Sequence, residues 1–351
     1  MVIRPVVVGS DGSRESLQAV EWAAREATRR GAPLRIVSVT AAPPRHWSAS
    51  PGPRTATPAA SGASGAPATP VTSETAMPAT PEEALRGVYA QSLRTVADDA
   101  EETAPGLVLE TELLSGQPGR TLARDAAGAS LLVVGAQGLG GYGQPGLGPV
   151  SAYVVRHASC PVVVVRSARE RGRPGRVHAR PGVTADGSIV VGVRDADEAA
   201  AALNFAFAEA ALRGTGLLAV HAWYWFPPAL LSSSPSRSTA VAATGSPGHA
   251  DGAGTAASRR DPLDARAMSA EAGQRLAAVL GGWHGRYPGV PVSHRVVHGH
   301  PGHVLAGLTG DAALLVLGRR DHRDGLGPGT GSIQRVVLAR SHGPVAVVPP
   351  G

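Results

Sequence analysis

Short runs of valine, leucine and isoleucine alternate along the chain with longer segments whose apolar residues recur every three or four positions. The short runs have the length and composition of buried strands, and the longer segments have the period of amphipathic helices. In the first half, this pattern predicts strands and helices in the order Val6–Val8, Glu15–Arg30, Leu34–Val39, Glu82–Thr103, Leu107–Leu114, Arg120–Ala127, Leu131–Val134, Ser151–Ala158 and Val162–Val165. Strands that alternate with helices predict a mainly parallel, five-stranded α/β sheet with helices on both faces.

The second half of the chain repeats the first at a constant distance of 183 residues. Seven positions keep their residue type at this distance: Gly9, Gly31, Gly116, Pro118, Gly135, Gly148 and Pro161 recur as Gly192, Gly214, Gly299, Pro301, Gly318, Gly331 and Pro344. A constant register over a whole half indicates two tandem copies of one domain. The predicted domains are residues 1–166 and 188–351, and the Arg-, Pro- and Gly-rich segment 167–187 is the predicted linker.

Each predicted domain contains a low-complexity insert after its second strand, at 41–81 in the first and 227–262 in the second. Both inserts are rich in proline, alanine, serine, threonine and glycine. This composition cannot bury enough apolar surface to form a core, so the inserts are predicted to be disordered.

Composition and charge exclude several classes of function. The net charge is +6, and all 33 basic residues are arginine, so a phosphate-binding loop that uses lysine and a Schiff-base mechanism are both excluded. The arginines are scattered rather than clustered, which does not favour nucleic-acid binding. A single cysteine, Cys160, allows no intrachain disulfide, and no apolar run reaches transmembrane length. We therefore expect a cytoplasmic protein with no membrane partner.

A glycine-dense loop at 135–148 is the first candidate for chemistry, because it contains seven glycines between a predicted strand and a predicted helix. Strand, glycine loop and helix in this order bring backbone N–H groups towards an anion at a helix N-terminus. The spacing differs from the GxGxxG dinucleotide motif, which argues against NAD or FAD. The alternative interpretation is a flexible surface loop.

Asp11 is the second candidate, because it follows the first strand at the carboxyl end of the sheet, where ligands bind in open α/β folds. Its carboxylate is suited to a ribose hydroxyl or to a metal–phosphate group. A helix-capping or turn aspartate is the alternative interpretation.

Three motifs together resemble the universal stress protein family, in the tandem form frequent in actinobacteria: Gly135-x2-Gly138-x9-Gly148 with the tail Val154–Val165, Val8–Ser13, and Gly116-x-Pro118. The resemblance implies two Rossmann-like domains of the adenine nucleotide alpha hydrolase type and a stress-response protein that binds ATP. It implies that the nucleotide-binding residues of the first domain are Gly9, Ser10, Asp11, Val39, Val134, Gly135, Gly138, Gly148, Pro149, Val150 and Ser151. The weaker equivalents in the second domain are Gly192, Val193, Asp195, Ala222, Gly318, Arg319, Gly331, Ser332 and Ile333.

Each half departs from the family pattern at a different place. Pro149 stands where the family has serine or threonine, which removes a hydroxyl and a backbone N–H from the expected phosphate site. In the second half, Asp321 replaces the second glycine and Arg194 replaces the aspartate equivalent to Asp11. Three arginines lie nearby in the sequence, and two interpretations are open. Either they offset the charge of phosphates, or they lie solvated on the surface: Arg319, Arg320 and Arg323.

Two functional hypotheses therefore stay open. In the first, the protein is a regulator that binds ATP or a related adenine nucleotide, with or without Mg²⁺, mainly in the first domain. In the second, it is a degenerate, nucleotide-free member of the family that acts through protein contacts. The sequence shows no pair of catalytic residues, so we expect no enzyme, although slow ATP hydrolysis or autophosphorylation stays open. A nucleotidyl-transferring enzyme of the same fold is a third, weaker hypothesis.

The second half contains two further clusters, one of histidines and one of aromatic residues. Four histidines, His294, His298, His300 and His303, surround the end of one strand but have no cysteine or carboxylate nearby, so no metal site is predicted. The aromatic run at 223–226 is predicted either to pack beneath the insert or to shield an adenine base.

The last strand of each domain, Val162–Val165 and Val345–Val348, is predicted to lie at a sheet edge, where strands tend to pair. Members of the family dimerise through this strand. The resemblance therefore implies a pseudo-dimer between the two domains, and the same strands are the predicted contact of a homodimer.

Overall fold

The computed structural model describes residues 3–40, 81–140, 146–166, 185–194, 196–224, 262–319 and 331–351. The predictions for almost all of both inserts, for most of the linker, and for Asp195, Trp225, Phe226, Arg320, Asp321 and Arg323 lie outside these residues. Among the helices in the described part of the chain, none has both the length and the apolar character needed to cross a membrane.

The two halves contain the same series of elements. The first half contains β1 (Val6–Gly9), α1 (Arg14–Arg30), β2 (Leu34–Thr40), α2 (Pro81–Thr103), β3 (Leu109–Ser115), α3 (Pro118–Asp125), a short 3-10 helix (Ala126–Gly128), β4 (Leu131–Gly135), α4 (Pro149–His157) and β5 (Val162–Val165). The second half contains β6 (Ile189–Gly192), α5 (Ala196–Arg213), β7 (Leu217–Trp223), α6 (Pro262–His284), β8 (Val292–His298), α7 (Pro301–Leu308), β9 (Leu314–Gly318), α8 (Ser332–Arg340) and β10 (Val345–Val348).

The strands form one sheet in the order β3-β2-β1-β4-β5-β10-β9-β6-β7-β8. Within each half all neighbours are parallel, and the half-sheets have equivalent strand orders. The predicted fold class, two tandem α/β domains with mainly parallel five-stranded sheets, is confirmed.

Local signals in the sequence explain where the first helix begins and ends. The hydroxyl of Ser13 caps α1 by accepting a hydrogen bond from the amide of Ser16 at 3.2 Å. Gly31 ends the helix in the left-handed conformation, with φ of 59°, which glycine adopts without steric cost. These two caps fix the position of α1 relative to the end of β1, where the candidate site lies.

Two helices of the first half, α3 and α4, begin at a proline that lies two residues before the predicted start. α4 begins at Pro149 rather than Ser151, and α3 begins at Pro118 rather than Arg120. Proline is accepted at the first helical position because an N–H there has no partner within the helix. Pro149, one of the predicted nucleotide-binding residues, therefore belongs to α4 and not to the preceding loop.

The sheet is buried on both faces. Along β1, Val6 and Val8 pack into one apolar core with α1, whereas Val7 packs into a second core on the opposite face. Each core extends through both halves of the chain. Strands that are buried on both faces appear as continuous apolar runs, which is why the valine runs were recognisable in the sequence.

The halves are joined by the antiparallel pairing of β5 with β10, in which Val163 lies opposite Ala346. In the ten-stranded sheet, β5 also pairs with β4, and β10 also pairs with β9. Both strands are therefore interior strands. The prediction of a homodimer through these strands is wrong for this structure, because neither strand has a free edge.

A buried cluster of four charged side chains links α1 of the first half to α5 of the second. Glu26 is 0% exposed and accepts hydrogen bonds from Arg30 at 2.8 Å and Arg213 at 2.7 Å. Glu209 accepts hydrogen bonds from the same two arginines, and burial raises its pKa above the ordinary value, an increase that the two guanidinium groups offset only in part. The two carboxylates occupy equivalent positions of the repeat, as do the two arginines, so the cluster is shared equally by the two domains.

We expect Glu26→Ala to lower the free energy of unfolding by about 3–5 kcal/mol, because a buried ion pair that loses one partner leaves buried charge uncompensated. The matched control is Glu21→Ala, which removes an exposed pair with Arg25 at 3.7 Å. We expect this control to cost less than about 1 kcal/mol. Chemical denaturation followed by circular dichroism measures both losses, and equal losses would contradict the structural role of the cluster.

Candidate functional site

A cavity of about 270 Å³ lies at the carboxyl ends of β1, β2 and β4 in the first half. This end of a parallel sheet is the usual ligand site in open α/β folds. The structure brings all eleven residues predicted for the first domain to the wall of this cavity: Gly9, Ser10, Asp11, Val39, Val134, Gly135, Gly138, Gly148, Pro149, Val150 and Ser151.

Asp11 connects the end of β1 to the glycine loop. One carboxylate oxygen accepts a hydrogen bond from the amide of Ser13 at 3.0 Å, and the other accepts one from the amide of Leu139 at 2.9 Å. Burial acts to raise the pKa of Asp11, but the hydrogen bonds from Ser13, Leu139 and Ser16 outweigh it and hold the pKa of this carboxyl below its usual range. The cavity wall therefore carries an ionised carboxylate at neutral pH, and the hydrogen bond from the amide of Ser13 is the one that a turn aspartate makes.

Two glycines of the loop are required by close contacts within the protein. A Cβ atom at Gly138 would lie 2.3 Å from the Oδ2 atom of Asp11. A Cβ atom at Gly135 would lie 2.8 Å from the backbone carbon of Glu15, which cannot move aside as a side chain can. At Gly148, the nearest atom would be at 3.4 Å, an ordinary contact. The contacts of Gly135 and Gly138 thus explain these residues without a ligand.

Several amides of the loop are already bonded to the protein. At four positions the acceptors are identified: Ala136 donates to the carbonyl of Val165, Gln137 to the carboxylate of Glu15, Leu139 to Asp11, and Gly148 to the carbonyl of Ala136. These amides hold the loop and are not directed at a ligand. These four amides are therefore not available to an anion, whereas the beginning of α4 offers further amides to the cavity.

The first turn of α4 contributes Pro149, Val150 and Ser151 to the cavity wall. Amides in a first turn have no partner within their helix, and the helix dipole attracts negative charge there. Pro149 has no N–H, so Val150 and Ser151 are the residues that supply amides. The hydroxyl of Ser151 donates to the carbonyl of Gly135 at 2.6 Å, so it braces the strand instead of replacing the hydroxyl missing at Pro149.

Sequence reasoning missed Glu15, which bonds to the glycine loop, and several residues of the cavity wall, among them Tyr89. Glu15 is buried in the first turn of α1, where acidic residues are common and usually exposed. The sequence therefore does not indicate that this glutamate is buried. Tyr89 lines the cavity from α2, which follows the first insert. The apolar period of α2 predicted the helix, but nothing in the sequence indicated that it would bring an aromatic ring to the ends of β1 and β2.

A second cavity, of about 220 Å³, occupies the equivalent place in the second half. It is lined by eight of the nine predicted residues: Gly192, Val193, Ala222, Gly318, Arg319, Gly331, Ser332 and Ile333. The ninth, Asp195, lies outside the described residues. Arg194 lines this cavity as Asp11 lines the first. The duplicated fold thus contains two cavities of similar size and different chemistry.

The histidine and aromatic residues near the end of β8 lie apart from the second cavity wall. His298 packs edge-on against Trp223 at a ring separation of 4.7 Å, and the rings of His300 and His303 are 4.9 Å apart. Within the described ranges, no three side chains of His, Cys, Asp or Glu gather as a metal site would require. Trp223 and Tyr224 are not among the residues that line the second cavity.

We expect Gly138→Ala to break the hydrogen bond between Asp11 and Leu139, because the added methyl group and the carboxylate cannot occupy the same space. The loss should lower the free energy of unfolding by about 0.5–1.5 kcal/mol, the net contribution of one hydrogen bond. Gly140→Ala is the matched control, since a Cβ there would meet no atom within 4 Å. Thermal unfolding compares the two, and an equally tolerated Gly138→Ala would show that the contact is not required.

Comparisons with known proteins agree with this architecture. The family model described as "Universal stress protein family" matches residues 3–166 and 187–349. A universal stress protein of Mycobacterium tuberculosis is 32% identical over 342 residues, covering 97% of this chain and 96% of its own. A solved universal stress protein from Archaeoglobus fulgidus shares the fold, with a TM-score of 0.55 and 16% identity over 99% of this chain and 97% of its own.

A solved universal stress protein in complex with cAMP covers 47% of this chain and 98% of its own, with 27% identity and a TM-score of 0.31. The family model matches the chain twice, in tandem, and the two matches together span nearly its whole length. The chain therefore belongs to the universal stress protein family.

Proposed function

We propose that the first domain binds an adenine nucleotide, such as ATP, as the ligand of a cytoplasmic stress-response regulator. One observation carries the proposal: an ionised carboxylate and the N-terminal turn of a helix line the same cavity. Asp11 supplies the carboxylate and α4 supplies the turn. A carboxylate accepts hydrogen bonds from ribose hydroxyls, and a helix N-terminus attracts phosphate, so the two groups suit opposite ends of a nucleotide.

The remaining wall suits a purine base. Val37 and Val39 of β2 and Leu122 of α3 provide apolar surface, and Tyr89 adds an aromatic ring. Ligand sites of this kind are mostly apolar, with a few polar groups that fix orientation. We place the base against this wall, with the ribose at Asp11 and the phosphates towards α4.

Mg²⁺ fits this site only together with the nucleotide. Asp11 is the single carboxylate among the described residues that line the cavity, and both of its oxygens already accept hydrogen bonds. Protein sites for nucleotide-bound Mg²⁺ commonly use one or two carboxylates in addition to phosphate oxygens. Because Asp11 is placed at the ribose, the phosphate oxygens of the nucleotide would supply the ligands of Mg²⁺, and no carboxylate of the described wall would join them.

We propose a regulatory and not an enzymatic role. The described wall of the first cavity contains no histidine or cysteine, and the chain contains no lysine. A nucleophile paired with a histidine or lysine base, a common arrangement in hydrolytic enzymes, is therefore missing from the described wall. Binding that changes the protein's contacts is the function that this wall supports.

A nucleotide-free regulator is the second candidate, and the hydrogen bonds of the glycine loop favour it. Four loop amides are bonded to protein acceptors, and Pro149 supplies none, so fewer donors face a phosphate than the glycine content suggests. In this case the protein acts through contacts with other proteins. The two candidates differ in one measurable property, the affinity for nucleotide.

Asp11→Asn should weaken ATP binding by about tenfold, because a neutral amide oxygen accepts a weaker hydrogen bond than a carboxylate does. Isothermal titration calorimetry with millimolar ATP measures the effect on the full chain. Asp98→Asn, at an exposed position on α2, is the matched control and should leave binding unchanged. If the unsubstituted protein shows no heat of ATP binding, the nucleotide-free role replaces this proposal.

Pro149→Ser should strengthen ATP binding by about three- to tenfold, because the substitution adds a hydroxyl and an amide at the start of α4 and each net hydrogen bond contributes about 0.5–1.5 kcal/mol. Pro161→Ser removes a proline that is not among the residues lining either cavity, and it serves as the control for loss of proline. The same titration measures both variants. Unchanged affinity in Pro149→Ser would show that phosphate does not lie at the start of α4.

A further inference from the structure

The two cavities carry opposite charge. Among the described residues that line the first cavity, Asp11 is the single charged residue, whereas Arg194 and Arg319 are the charged residues described in the wall of the second. A cavity lined by charge of one sign concentrates ligands of the other sign. At the position where the first cavity has a carboxylate, the second cavity therefore favours binding of an anion.

The backbone reaches Asp11 and Arg194 by equivalent paths. Both residues lie two positions after the last residue of the first strand in their half. The amide immediately before each charged residue donates to a carbonyl of the neighbouring strand at 2.9 Å, from Ser10 to Val37 in the first half and from Val193 to Val220 in the second. The substitution thus exchanges a carboxylate for a guanidinium at one place in the fold, without a change in local backbone bonding.

This exchange has a known consequence in nucleotide sites of parallel α/β sheets. An acidic side chain accepts hydrogen bonds from a free ribose hydroxyl, whereas an arginine accommodates a phosphate attached to that hydroxyl. A guanidinium also donates two parallel hydrogen bonds to a phosphate, which a carboxylate cannot do. Arg194 therefore favours a ligand with a phosphate on a ribose oxygen, whereas Asp11 favours a ligand whose ribose hydroxyls are free.

Gln334 gives the second cavity a buried polar group that needs a partner. Its Nε2 atom donates to the carbonyl of Gly318 at 2.6 Å, as Ser151 does to Gly135 in the first half. This bond fixes the amide, and its Oε1 atom is buried without a hydrogen-bond partner among the described residues. Gln334 is 6% exposed and lines the cavity. A ligand hydroxyl or N–H group would satisfy this acceptor, which costs free energy while it is unpaired.

We propose that the second cavity binds a nucleotide whose ribose carries a phosphate on its 2′ or 3′ oxygen. The phosphate contacts Arg194, and a hydroxyl or N–H group of the ligand donates to Oε1 of Gln334. The apolar residues Val220, Leu305 and Leu317 receive the base. This assignment rests on the placement of base and ribose proposed for the first domain, and it gives the two domains different ligands.

Calorimetric titration of the full chain with adenosine 2′-, 3′- and 5′-monophosphate tests the assignment and distinguishes the two phosphate positions. In Arg194→Asp, we expect binding of the 2′ or 3′ isomer to weaken at least about tenfold, the loss of one charge-assisted contact. The 5′ isomer, which has free 2′ and 3′ hydroxyls, should stay within about twofold. Asp11→Asn should show the reverse pattern.

Arg286→Asp makes the same charge change at an exposed residue outside both cavities and should leave all three titrations unchanged. If Arg194→Asp does not fold, as judged by circular dichroism, Arg194→Gln carries the same expectation.

The assignment is overturned if neither the 2′ nor the 3′ isomer binds at millimolar concentration. It is also overturned if their binding depends on Asp11 and not on Arg194. Failure of the first-domain proposal has a separate signature, an affinity for the 5′ isomer that does not change in Asp11→Asn.

Discussion

The antiparallel pairing of β5 with β10 is the contact on which the rest of the structure depends. Each domain alone would end in a strand of four apolar residues with an open edge, Val162–Val165 or Val345–Val348, and such edges promote aggregation. Pairing the two strands makes one continuous sheet and brings α1 against α5. The buried carboxylates Glu26 and Glu209 then share the same two arginines across the boundary. The two domains therefore form one body.

Within this frame the two copies keep the same backbone and differ in chemistry. In each copy, a side chain from the helix after the loop donates to the last carbonyl of the preceding strand, but the donor is Ser151 in one and Gln334 in the other. In each copy the first strand leads to a charged residue at the cavity, but the charge changes sign between Asp11 and Arg194. The two copies therefore share one scaffold, whereas the residues that line their cavities differ in charge and in hydrogen-bonding groups.

Much of the fold was predictable, since strands buried on both faces appear as valine runs and the repeat shows which glycines mark turns. All eleven residues predicted for the first cavity lie on its wall. The role of Glu15 was not predictable, because a first-turn glutamate normally faces solvent and only tertiary packing directs it to Gln137. The glycine loop was interpreted as a set of free amides, but the structure shows amides that bond to Asp11 and Glu15. Sequence patterns locate a loop, but the partners of its amides depend on distant residues.

We propose that the two cavities of the duplicated fold prefer different ligands and that an adenine nucleotide with a free ribose diol enters only the first. A crystal structure of the full chain grown with ATP would show directly which cavity is occupied. We expect one nucleotide per chain, with its ribose hydroxyls within hydrogen-bond distance of Asp11 and its phosphates at the first turn of α4. ATP bound in the second cavity beside Arg194, or density in neither cavity, would contradict it.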